Sequence, residues 1–153
     1  MKTEFESARD LSYRLISYRR RTRYELEQRL EKKGFSKEIT CQVLTLLVNY
    51  GYINDRDYAS SWVARRLAKR GFRVIKHELL EKGVEVVIID ETLNEIGQEA
   101  EYAAAMKLAV KKAESSGGIC SFIGLAGFLE RRGFSYDVIG QVCRNISDKA
   151  GLA

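Results

Sequence analysis

The sequence predicts an all-α fold, a tandem array of three three-helix repeats, elongated and curved, and three observations carry that prediction. A short motif ending in glycine recurs three times, with Gly34, Gly83 and Gly133 spaced 49 and 50 residues apart in a chain of 153. The chain has no proline, where ordinary usage would supply about 5%, so helices joined by short loops are favoured over sheet edges and Pro-rich linkers. Apolar residues recur at i and i+4, the spacing of one helix face.

The elements follow in order. Ala8 to Arg20 is an amphipathic stretch that predicts the first helix. Thr22-Arg23-Tyr24-Glu25 is a capping box, in which a Thr oxygen and a Glu three residues later satisfy the orphan amides of a helix start. It opens a short helix with Leu26 and Leu30 on one face, stopped at Gly34. Ser36 caps the third helix, which carries Ile39, Val43, Leu47 and Tyr50.

The pattern then repeats. Asp57 to Arg70 and Ala100 to Ala113 correspond to the first helix, and Asn54-Asp55 is read as the N-cap region of the former rather than a metal loop. Ile75 and Leu79, then Leu125 and Leu129, stand eight and four residues before Gly83 and Gly133. Val84 and Phe134 follow the glycines as Phe35 follows Gly34. Ser135 takes the place of Ser36, before Val138, Val142 and Ile146. Val86-Val87-Ile88-Ile89 has the β-branched content of a strand. Its register with Leu93 and Ile96 predicts a helix instead. Ser115-Ser116-Gly117-Gly118 is the one flexible joint expected. The domain expectation is one elongated domain over 1–153, with repeats at approximately 1–54, 55–98 and 99–153, because a three-helix unit alone buries too little surface.

Composition excludes several classes of function. No apolar run approaches the 18 residues of a membrane span, and the first residues lack the apolar core of a secretory signal, so a cytoplasmic protein with no membrane partner is expected. Without an export signal, Asn145-Ile146-Ser147 reads as a chance sequon. Cys41, Cys120 and Cys143 have no C-x-x-C spacing, and the single His77 cannot complete a zinc set, so three buried or half-buried thiols are expected and no metal. Phosphate-cradling glycine loops are missing, and the carboxylates alternate with bases instead of pairing in apolar surroundings. No catalytic residues and no cofactor are therefore expected.

Charge is the remaining signal. Residues 1–83 hold 19 Lys+Arg against 11 Asp+Glu, and residues 84–153 hold 7 against 10, which divides the net +5 into a basic front and an acidic rear. Arg19, Arg20, Arg21 and Arg23 form one cluster, followed by Arg29, Lys32 and Lys33. Arg65, Arg66, Lys69, Arg70 and Arg73 form the second, followed by Lys76, and their spacing places all five on one side of a helix or its end. These thirteen cations are the candidate nucleic-acid or filament-binding residues, compensated by an anionic partner or by internal carboxylates. Tyr13, Tyr18 and Trp62 read as packing residues, with no interleaved aromatic platform for single strands.

Several of these segments resemble the RecX family of bacterial recombinase regulators. The resemblance rests on Glu25-Leu26 through Gly34-Phe35, on Gly51-Tyr52-Ile53-Asn54-Asp55-Arg56-Asp57-Tyr58-Ala59 leading into Trp62-Val63, on Glu78 to Gly83, and on Phe128 to Ile139. It covers nearly the whole chain in the right order. One departure is Gly71-Phe72-Arg73, where the family often has a Gly-Pro-like turn. The resemblance implies a monomeric, non-enzymatic helical array that binds the RecA recombinase and its filament on single-stranded DNA, with duplex DNA a further candidate. It implies modulation of ATP hydrolysis, strand exchange and filament growth, usually as an inhibitor, in recombination, DNA repair and the SOS response. It brings no shared catalytic residue set. The competing readings are a free-standing DNA-binding helical protein or transcriptional regulator, and a protein-only adaptor.

Overall fold

A computed structural model describes residues 1–117 and 121–150 of the chain, so Cys120 and Gly118 lie outside the described residues. The described residues form nine helices and no strand: α1 Glu4–Tyr18, α2 Arg23–Lys32, α3 Lys37–Asn49, α4 Asp55–Arg66, α5 Phe72–Glu81, α6 Val86–Ile96, α7 Gln98–Ser115, α8 Phe122–Arg131 and α9 Tyr136–Ala150. The β-branched run at 86–89 is helical, as its register requires.

The recurring glycine is a helix stop with one geometry. Gly34 has φ +93°, a conformation that costs a residue with a Cβ but not glycine. Its amide donates to Glu31 O at 3.0 Å and the Phe35 amide to Leu30 O at 3.2 Å, the two bonds of a Schellman motif. Gly83 and Val84 bond Leu80 and Leu79 in the same way, and Gly133 and Phe134 bond Glu130 and Leu129. The leucine four before each glycine thus supplies both a core side chain and a terminal carbonyl. Leu30, Leu79 and Leu129 are all fully buried, and burial of each stabilises by about 1.5–3 kcal/mol.

By contacts the chain divides into two compact units, residues 1–60 with 79–89, and residues 61–78 with 90–153. In the first unit, α1 and α2 both pack on α3 around Ala8, Leu26, Leu30, Val43, Leu44 and Leu47. Capping boxes at Thr3 and Thr22 open α1 and α2, Ser36 caps α3 and the Asn54 side chain accepts from the Asp57 amide at the start of α4. Thr22 also donates its hydroxyl to Lys82 O at 2.7 Å. Asp55 accepts from the Arg23 amide at 3.0 Å, placing a carboxylate at the start of α2.

In the second unit, α7 and α8 pack on α9 around Ala105, Ala109, Leu125, Leu129, Phe134 and Val142. Glu101 is buried in this unit, only 1% exposed. Its Oε2 accepts from the Phe72 amide at 2.9 Å and the Ser135 amide at 3.1 Å, and its Oε1 from the Ser135 hydroxyl at 2.7 Å. One carboxylate therefore serves the starts of both α5 and α9. Nearby, Gly71 donates to Arg132 O and Arg73 to Gly133 O, both at 2.9 Å. A Cβ on Gly71 would stand 2.3 Å from the Phe134 Cα, so the absence of a side chain allows the two backbones to meet.

Three expectations from local pattern differ from the structure. Helix α4 ends at Arg66 instead of reaching Arg70, because the chain must turn to bring Gly71 against residues 132–134. Cys41 is exposed while Cys143 is buried; Cys41 falls between Ile39 and Val43 on α3, off the apolar face. Tyr18, expected to pack, and Tyr50, expected to continue the patterned face of α3, are 87% and 68% exposed, since each stands where its helix ends and the core no longer reaches.

Candidate nucleic-acid interface

The first basic cluster is the link between α1 and α2, within the first unit. Arg19, the C-cap of α1, donates from Nη2 to Glu25 Oε2 at 2.9 Å, and that bond holds its guanidinium above the ordinary value. Arg21 donates from Nε to Leu15 O at 3.1 Å, satisfying a terminal carbonyl of α1. Burial pushes Arg21 down from its ordinary value, and the charges of Arg19 and Arg29 add to this. Arg20 lines a cavity of about 150 Å3 with Arg21, Ile16, Tyr52, Asp57 and Tyr58. Arg23, Arg29, Lys32 and Lys33 are exposed, Arg23 beside Glu27 and Glu31.

Tyr13, expected to pack, is 37% exposed and meets Tyr52 edge-on at 5.5 Å, with Tyr50 6.5 Å from Tyr52. Three partly open tyrosine rings from two distant stretches of sequence are thus adjacent, which no linear spacing displays.

The second cluster is not one helical face. Arg65 lies over the Trp62 ring at 5.0 Å. Arg66 forms a fork with Glu78, Nε to Oε1 at 3.1 Å and Nη2 to Oε2 at 2.8 Å, and the Trp62 indole donates to the same carboxylate. Arg73 donates to the carbonyls of Phe134 and Glu130 at 3.2 and 3.0 Å and covers the Tyr136 ring at 4.7 Å. Lys76 pairs with Asp90 at 2.9 Å. Internal carboxylates therefore compensate Arg66 and Lys76, the second of the two compensations expected, whereas Arg73 is held by backbone carbonyls.

Lys69 and Arg70 have different surroundings. They line a cleft of about 580 Å3 in the second unit, together with Lys111 and Lys112 of α7 and Arg132 past the end of α8. The floor includes Phe128, with Arg132 at 4.7 Å and Lys112 at 5.4 Å from its ring, an attraction of about 0.5–2 kcal/mol per cation. Among the described residues, no carboxylate lines this cleft. Lys111, Lys112 and Arg132 are absent from the sequence-based set because the rear of the chain is acidic in total. Repeat register would have found them: Lys111-Lys112 ends the first helix of its repeat, as the arginines near 20 and the bases near 70 end theirs.

Residues 8–47 match the family described as RecX, first three-helix domain, and residues 54–93 match RecX, second three-helix domain. The chain is also 33% identical over 151 residues to Regulatory protein RecX of Mycolicibacterium smegmatis, covering 90% of this chain and 80% of that protein. The chain belongs to the RecX family. Regulatory protein RecX of Bacillus cytotoxicus is 39% identical over 134 residues, and the match spans 84% of this chain but 49% of that longer relative. A crystal structure of RecX from Lactobacillus salivarius superposes with a TM-score of 0.87 over 94% of this chain and 97% of that one, at 24% identity, which shows the shared fold. The first matched RecX domain takes in α2 and most of α1 and α3, and the second runs from Asn54 into α6, so Lys111, Lys112 and Arg132 lie beyond both matched segments. No helix among the described residues is long and apolar enough to cross a membrane, and no described cluster of His, Cys, Asp and Glu is arranged to hold a metal ion.

Proposed function

We propose that this RecX-family chain is a non-catalytic regulator that binds the RecA recombinase and its filament on single-stranded DNA. In this reading it acts as a cytoplasmic monomer and lowers ATP hydrolysis, strand exchange and filament growth. The observation that carries the reading is the match of two successive three-helix domains to those of a family of regulatory proteins. The distribution of charge supports it. Arg29 and Lys32 on α2, Lys33 just past its end, Arg65 on α4, and Lys69 and Arg70 beyond it bring cations to the surface at helix ends. Such groups suit phosphates, whose neutralisation releases condensed counterions and makes affinity fall with salt. Acidic recombinase surface would be met by the same charges with less salt dependence.

The test is the DNA-dependent ATPase and strand-exchange activity of the cognate recombinase, with this chain added at sub-stoichiometric and equal ratios. Both activities should fall, and the chain should co-sediment with filaments. Unchanged activities with no co-sedimentation would overturn the proposal.

A further inference from the structure

The cleft of the second unit has no role in the comparisons or in the charge pattern of the sequence. We infer that it is a binding site for the phosphodiester backbone of an unpaired nucleic-acid strand, held by Lys69, Arg70, Lys111, Lys112 and Arg132. The inference deepens the proposed function and rests on its nucleic-acid partner.

Four features support it. First, five cationic side chains from three separate segments converge on one cleft whose lining, among the described residues, has no carboxylate. Like charges brought together by folding repel, and that repulsion is relieved when an anion neutralises them. Second, the charges are partly preorganised. Arg132 donates from Nη1 to Lys69 O at 3.2 Å, Arg70 donates from Nη1 to the same carbonyl at 3.1 Å, and the Phe128 ring holds Arg132 and Lys112 beside it. Ordering these long side chains before binding lowers the entropic cost of binding. Third, the cleft's volume of about 580 Å3 is that of a cube roughly 8 Å on a side, room for a stretch of one strand's backbone but not for a duplex, whose major groove alone is about 12 Å wide. Fourth, Leu108, Ala68 and Phe128 give the lining an apolar part on which sugars can rest. Because Lys112 and Arg132 already occupy the Phe128 ring, base stacking there is disfavoured and recognition falls on phosphate, independent of base sequence.

The experiment uses the full chain and its Lys111→Gln/Lys112→Gln variant, with binding to a fluorescent oligothymidylate followed by anisotropy across a salt series. Both lysines are exposed, and circular dichroism checks that helix content is kept. Removing two phosphate contacts should make the slope of log K against log salt shallower by about 1.4, so that between 50 and 200 mM salt the variant loses about sevenfold less affinity than the wild type does. A Lys111→Arg/Lys112→Arg variant should restore the slope, and a strand bearing abasic sites should show the same difference between wild type and Gln variant. Equal slopes and affinities for wild type and the Gln variant would overturn the inference. So would a slope difference that vanishes on the abasic strand, or a wild type that binds inorganic tripolyphosphate but no strand. Recombinase ATPase measured in parallel separates the two claims: inhibition by the wild type with equal salt slopes overturns the cleft and leaves the proposed function standing.

Discussion

Glu101 gives the sharpest residue-scale expectation. Its carboxylate is buried and accepts from two amides and one hydroxyl, and charge-assisted bonds of this kind contribute about 1.5–3 kcal/mol each, non-additively. Glu101→Ala would leave those donors unpaired inside the protein, and urea denaturation should show a loss of about 2–4 kcal/mol. Titration at the start of α2 is a second case. Burial pushes Glu25 up, but the bonds from Arg19 and from the Thr22 amide outweigh it and hold its carboxyl below the ordinary value of 4.5. That stability is present above the unfolded value and is lost as pH falls through the folded one. Asp55 is shifted the other way: burial raises it above 3.8, against the bond from the Arg23 amide. Its folded form holds the proton more tightly than the unfolded chain, so stability is lost as pH rises through the folded value. Asp55→Asn keeps an oxygen acceptor for Arg23 and removes the half-buried charge. Its urea midpoint should exceed the wild type's at pH 7, and the gap should close as pH falls below 3.8. A gap independent of pH would show that packing, not ionisation, separates them.

Among the elements, the Schellman stop was the most legible feature of the sequence. Gly34, Gly83 and Gly133 announce it because three demands, a positive φ, a buried leucine four residues before and an apolar residue after, fall within six residues. The second basic cluster was the least legible element. Its spacing suggests one helical face, yet α4 stops at Arg66 and its members part company. Arg66 turns to Glu78, Arg73 to the end of α8, and Lys69 and Arg70 to the cleft. This divides the expected effects of charge reversal. Arg65→Glu/Lys69→Glu/Arg70→Glu should weaken strand or filament binding at least tenfold at 50 mM salt while helical content is kept. Arg66→Glu places like charges together in a half-buried fork and should chiefly lower stability, by about 2–4 kcal/mol. Circular dichroism and anisotropy on the two proteins check both outcomes. A triple variant with unchanged affinity would leave those cations as a solvated face.

At the scale of the whole molecule, net charge is a poor guide to where an anion would bind. The acidic rear of the sequence supplies Lys111, Lys112 and Arg132 to a cleft that Lys69 and Arg70 join in the fold, five cations in all. A potential is set by which charges lie within a Debye length, about 8 Å at physiological salt, not by totals along the chain. The recombinase assays address this scale, since they report the summed effect of all the basic surfaces.

The sequence alone determined the all-helical repeat, the caps at Thr22 and Ser36, the glycine stops, and the family. Those depend on side chains within a few residues of one another, and on a pattern repeated three times. Only the tertiary structure decided which cations are used internally, that Glu101 ties the starts of α5 and α9, that Tyr13 meets Tyr52, and that a cationic cleft forms from segments more than 60 residues apart at its extremes. Local hydrogen bonding and helical periodicity are encoded over one or two turns. Charge and stacking are pairwise properties of space, and space is fixed only when the helices pack.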